Sequence, residues 1–178
     1  MTTEEAIQAL PSRARVGLAL ASVEHVVATL STEPVAFSEA RQGLDDGWRW
    51  VHGGKVDPIK FYERVEPLAL ASTDFPIGTA KKNALLSAVA AFCYTTGEIL
   101  SYGASAGIDP EDTTLDSEMA DIGEDDLVDC LQKAVEGAPD VTAEAQWQRH
   151  LADRLVADFR TDDPDQLGPT IAREYFLS

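Results

Sequence analysis

The stretch TAKKNALLSAVAAFCYTTGEILSYGA, residues 79–104, decides the fold. Positions Leu85, Leu86, Val89, Phe92, Cys93, Thr96, Ile99 and Leu100 recur at steps of three and four, so they share one broad face of a helix. A helix this apolar needs cover over much of its circumference. It therefore reads as the centre of a bundle, and the rest of the chain must supply the surrounding layers.

Upstream, Val16, Leu20, Val23, Val27 and Leu30 form a helical stripe between Ser12 and Leu30. After the Thr32-Glu33-Pro34 break, Phe37, Ala40, Leu44, Trp48 and Val51 repeat the pattern. Gly53-Gly54 ends it, because glycine tolerates the left-handed conformation common just past a helix. Asp57-Pro58 reads as an N-cap followed by proline at the first helical position, and Ile59, Tyr62 and Val65 give a short apolar face before Pro67 interrupts.

Downstream, Leu127, Val128, Leu131, Ala134 and Val135 make another amphipathic helix. Glu124, Asp125 and Asp126 sit in its first turn, where the helix dipole favours negative charge, and Gly137 and Pro139 close it. Thr142 is placed to cap a further helix carrying Trp147, Leu151, Leu155 and Phe159. A short helix beginning near Pro169 would hold Ile171, Tyr175 and Phe176. No segment alternates with the period of two that a half-buried strand needs. The expected fold is an all-α, single-domain bundle of about six or seven helices over residues 1–178, with solenoid-like stacking of helix pairs as the alternative.

A chain of 178 residues, 44% hydrophobic and 25% charged, suits one globular domain. No uninterrupted apolar run reaches the roughly 18 residues that span a bilayer. The Met-Thr-Thr-Glu-Glu start lacks the basic-then-apolar pattern of a signal peptide, so a cytoplasmic location is expected. Cys93 and Cys130, far apart and inside apolar patterns, read as small core residues.

The charge is unevenly placed. Residues 109–140 hold 12 acidic residues and 1 basic, a net of −11 out of −17 for the chain. Such a surface repels phosphate backbones and anionic lipid heads, which disfavours nucleic acid and membrane as direct partners and favours basic proteins. The candidate docking residues are Asp109, Glu111, Asp112, Asp116, Glu118, Asp121, Glu124, Asp125, Asp126 and Asp129. The alternative is a solvated face that only maintains solubility.

Metal chemistry finds little support in the spacing. An EF-hand loop requires a bidentate Glu at its twelfth position, whereas counting from Asp109 gives Ala120 and from Asp112 gives Gly123. His25, His52 and His150 fall on three different helices or helix ends and form no HxxxH or HExxH pair, so neither metal nor cofactor is expected. No nucleophile elbow, CxxC pair or phosphate-cradling loop is present. Gly103 and Gly107 follow a helix instead of opening one, and read as a chain exit.

Trp48 and Trp50 lie about 200° apart on a helix, so only one can sit at the centre of a core stripe. Trp48 fits that stripe, and Trp147 also lies on an apolar side. Trp50 is left either packed against another helix or exposed as a partner contact.

The segment LDDGWRWVHGGKVD (44–57), the small-residue helix AVAAFCYTTGEILSYGA (88–104) and the acidic helix after it together resemble the all-helical immunity proteins of bacterial polymorphic toxin systems. The resemblance spans residues 12–136. It implies a protein that binds and neutralises a cognate toxin, often a nuclease, without catalysis or cofactor, and it carries over no particular binding residue. Two other readings stand beside it. One is a small helical enzyme or metal- or ligand-binding bundle using His25, His52 or His150 with nearby carboxylates. The other is a general acidic adaptor with several basic partners.

Overall fold

The computed structural model describes residues 3–102 and 124–178, apart from Pro164. Six helices of eight residues or more account for most of the described chain: α2 (Ser12–Val26), α3 (Pro34–Val51), α5 (Val65–Ser72), α6 (Ala80–Ser101), α7 (Glu124–Gly137) and α8 (Val141–Phe159). Three short helices complete them, α1 (Thr3–Gln8), α4 (Pro58–Tyr62) and α9 (Arg173–Leu177), together with a 3-10 turn over Val27–Leu30. No strand occurs among the described residues, so the chain is an all-α bundle. The expected exit at Gly103 and Gly107 lies outside the described residues.

Helix α6 is the central helix. Thr79 caps it by accepting from the Lys82 N–H, and α7, α5, α2, α4 and α3 all pack on it. Its small residues let neighbours approach closely. At Gly137, an added Cβ would lie 3.0 Å from the Ala84 nitrogen and 3.3 Å from the Ala80 oxygen, so the end of α7 rests directly on the backbone of α6. Ser87 Oγ then donates to the Cys130 carbonyl at 3.0 Å, tying α6 to α7 with a buried hydrogen bond. Contrary to the expectation from uninterrupted apolar runs, α6 has the length and composition to cross a membrane. Here 61% of that apolar window is buried against the other helices, as in the core helix of a globular bundle.

Helix α2 is a second buried axis, not a helix with a single apolar stripe. Val16, Leu20 and Val23 are covered as expected, but so are Leu18, Ala19, Ala21 and Ser22. The Ser22 hydroxyl satisfies itself by donating to the Leu18 carbonyl at 3.0 Å. Helix α3 lies against α2 and ends where Gly53 takes φ +86, with the Gly54 N–H donating back to the Arg49 carbonyl at 2.8 Å.

The Asp57 cap is present, its carboxylate accepting from the N–H groups of Ile59 and Lys60. The face that follows differs from the expected one. Val65 is buried as expected, but Ile59 is exposed and Tyr62 half-buried, while Phe61 and Leu68 are buried. The chain breaks between α4 and α5, which resets the helical phase. Pro67 sits in the first turn of α5, where its missing N–H costs nothing. Helix α8 is capped by Asp140, which accepts from the Ala143 N–H at 2.9 Å, and not by Thr142.

After α8 the chain runs back to the junction of α1 and α2. Thr161 N–H donates to the Ala9 carbonyl at 2.9 Å, while Ser12 and Arg13 N–H groups donate to Gln166 and Leu167 at 2.9 and 3.0 Å. The buried Ile171 precedes α9, and α9 seats Phe176 in the core beside Trp48, ring centroids 5.2 Å apart.

Candidate functional site

The outward side of α7 is acidic because its inward side is committed to the core. Leu127, Cys130, Leu131 and Ala134 are buried, which turns Asp125, Asp129, Gln132 and Glu136 outward at spacings of four, three and four. Those spacings place all four within a narrow stripe of the helix. Lys133 lies beside the stripe and donates to Glu136 at 2.9 Å; that hydrogen bond is the main reason the Glu136 carboxyl is held below its ordinary range.

Of the docking residues expected from sequence, Asp125 and Asp129 are exposed and Asp126 is half-buried. Glu124 opens α7. Asp109, Glu111, Asp112, Asp116, Glu118 and Asp121 lie outside the described residues. Trp50 takes the packing alternative: it is 4% exposed, with the Arg13 guanidinium 6.0 Å from its ring centroid, and so is not available as a surface contact. Trp48 is buried as expected, while Trp147 is half-buried.

The three histidines are not brought together. His25 on α2 meets Glu144 on α8 at 2.9 Å and lies against Trp147, ring centroids 3.6 Å apart. Glu144 is itself buried and accepts from Gln148 Nε2, which also donates to the Leu131 carbonyl, so this cluster joins α2, α7 and α8. His52 ends α3 and faces α9, and His150 is exposed on α8. Among the described residues no group of three His, Cys, Asp or Glu side chains is placed to hold a metal ion. Of the three histidines, His25 is the one set beside a carboxylate, that of Glu144.

A feature that sequence reasoning missed is a cleft of about 520 Å³ between α3 and α9, lined by Asp45, Trp48, Arg49, His52, Gly54, Arg173 and Glu174. Beside it, Glu24 of α2 accepts from Arg41 at 2.7 Å, from the Trp48 indole N–H at 3.1 Å and from the Arg173 guanidinium. Arg173 also stacks over Trp48 at 5.8 Å and pairs with Asp45 at 3.5 Å. Glu24 and Arg173 lie 149 residues apart, so no local pattern could have announced the pair.

Compared with known proteins, the chain matches no family model, no curated protein and no solved structure.

Proposed function

We propose that this chain is a binding protein that neutralises a basic partner by stoichiometric association, in the manner of an immunity protein acting on a toxin such as a nuclease. The observation that carries this reading is the acidic stripe of Asp125, Asp129 and Glu136 on the outer side of α7, which continues a stretch of sequence already dense in carboxylates. A nuclease must offer a cationic face to its substrate. A negative surface occupies such a face, speeds encounter by electrostatic attraction and loses strength as salt screens it. Inhibition of this kind needs no catalytic group and no cofactor.

The test is capture of partners by the tagged protein at about 50 mM and about 500 mM salt, followed by affinity and nuclease assays on the captured protein. A single basic partner, bound one to one, weakened at high salt and inactivated on binding, is the expected result. Charge reversal with Asp125→Lys and Asp129→Lys should weaken that complex by on the order of tenfold or more. Unchanged affinity in the doubly substituted protein would remove the acidic stripe from the interface. Capture of many unrelated basic proteins with similar affinity would favour the adaptor reading.

A further inference from the structure

Six large apolar side chains stand exposed among the described residues, and four of them gather at one end of the bundle. Helices α3, α6 and α8 begin at that end, and α5 and α7 finish there. The Lys81 ammonium of α6 ties the parts together. It pairs at 2.6 Å with Glu33, just ahead of α3, and lies 5.4 Å from the ring centroid of Phe75 in the α5–α6 turn. Gly137, the last residue of α7, rests against Ala80 and Ala84 of α6, and α8 starts four residues later at Val141. Val35, Leu70, Ile77 and Val141 therefore share this end, from 51% exposed at Val141 to 91% at Ile77. So many open apolar side chains in one place mark a surface that another surface covers.

The same end is nearly neutral. Glu33, Asp74, Glu136 and Asp140 stand there against Lys81, Lys82 and Lys133, a net of −1 where the whole chain carries −17. Glu33 and Glu136 are paired with lysines at 2.6 and 2.9 Å, and Asp140 is engaged as the cap of α8. Lys82 donates to the Phe75 carbonyl at 3.2 Å, which holds its charge beside Asp74.

We propose that this end is a self-association surface, on which a second copy of the chain docks end to end. A basic partner is drawn to unpaired carboxylates, and those lie elsewhere. Asp125 sits twelve residues before Gly137 on α7, about 18 Å away along the helix. Two copies of so acidic a chain repel one another over most of their surface. The end-to-end arrangement sets their acidic sides far apart while apolar side chains meet. The end is also complementary to itself. Across a two-fold axis, Asp74 of one copy can meet Lys82 of the other, and the reverse, as an isologous contact requires. The patch is small, so the dimer is weak and forms as concentration rises.

Sedimentation of the full chain from about 5 µM to about 500 µM, at about 50 mM and about 500 mM salt, tests this. The mass should climb from 19.2 kDa toward twice that value. It should do so more readily at high salt, because screening removes the repulsion between copies. Ile77→Asp combined with Leu70→Asp, at exposed positions, should weaken the association roughly tenfold or more and leave the urea midpoint unchanged. Ile59→Asp should not affect it, since α4 packs elsewhere, with Phe61 against Phe92 midway along α6. A chain that stays at 19.2 kDa throughout would overturn the proposal. So would a dimer that survives undiminished in the doubly substituted chain, or a chain that remains monomeric yet binds phosphatidylcholine vesicles, which would give this surface to a membrane.

Discussion

The ring of Phe176 fills the space that a side chain on Gly17 would need. A Cβ at that glycine would lie 2.8 Å from Cε2 of the ring and closer still to two other ring carbons. Helix α2 can accept α9 only because residue 17 has no side chain. Gly17→Ala should therefore cost about 2–3 kcal/mol despite its better helix propensity, measured by urea unfolding. Combining it with Phe176→Leu should recover part of that loss, since the two changes act on one contact.

Thr95 carries a second, opposite expectation. Its hydroxyl is fully buried in α6 and has no hydrogen-bond partner among the described residues. Thr95→Val keeps the shape and removes the unsatisfied group, so the folded state should gain about 1 kcal/mol, visible as a higher midpoint in urea with an unchanged slope.

Glu24 holds three donors at once, from Arg41, Trp48 and Arg173. Glu24→Gln removes the charge that two guanidinium groups share and should destabilise the fold by about 2–3 kcal/mol. Its spectroscopic sign is a shift in tryptophan emission, because the Trp48 indole N–H loses its carboxylate acceptor. No shift in emission would mean that the indole finds an equivalent partner.

The thiols give a pH-dependent expectation. Burial, with the Asp126 charge adding to it, pushes Cys93 from 9.0 up to about 11, and burial pushes Cys130 from 9.0 up to about 12. A thiol whose folded value is raised stabilises the fold fully below its unfolded value. That contribution is lost as pH rises toward the folded value, here from about 9 to about 12. Thiol reagents at about pH 8 should label Cys130 only at the rate of opening of the α6–α7 contact and Cys93 faster, while both react promptly in urea. Prompt labelling of Cys130 in the native protein would contradict its burial.

The helices that sequence periodicity disclosed are those with large apolar residues on one side, α3, α6 and α7 among them. What it understated was the burial of α2. Ala14, Ala19, Ala21 and Ser22 bear too little apolar surface to register as a stripe, yet small residues are what a helix crossed on several sides requires. The start of α8 was misplaced because its first residue, Val141, is exposed, which leaves the entry turn without an apolar signal, and Asp140 caps it one turn before the first core contact. The Ile59–Tyr62–Val65 spacing carries one helical face across a break that the chain makes after Tyr62, so it places Val65 correctly but misses Phe61, the aromatic residue that the five-residue α4 buries. Trp50 was left between two alternatives because its burial depends on what neighbours α3, a tertiary matter. On the candidate docking surface, the outward turn of Asp125 and Asp129 follows from the inward pattern of Leu127, Leu131 and Ala134. The α3–α9 cleft depends on residues more than a hundred positions apart.

The segment after α8 threads its backbone onto the junction of α1 and α2, fills the notch at Gly17 and supplies Arg173 to Glu24. During synthesis, α2 will have left the ribosome long before those partners exist. The earliest helices must therefore wait in an unfinished state, with the apolar notch at Gly17 open, until residues 161–176 emerge to close it. For this chain the first helices are completed only by a segment that is made long after them. A ribosome stalled before residue 161 would hold a bundle whose buried axis is still wet.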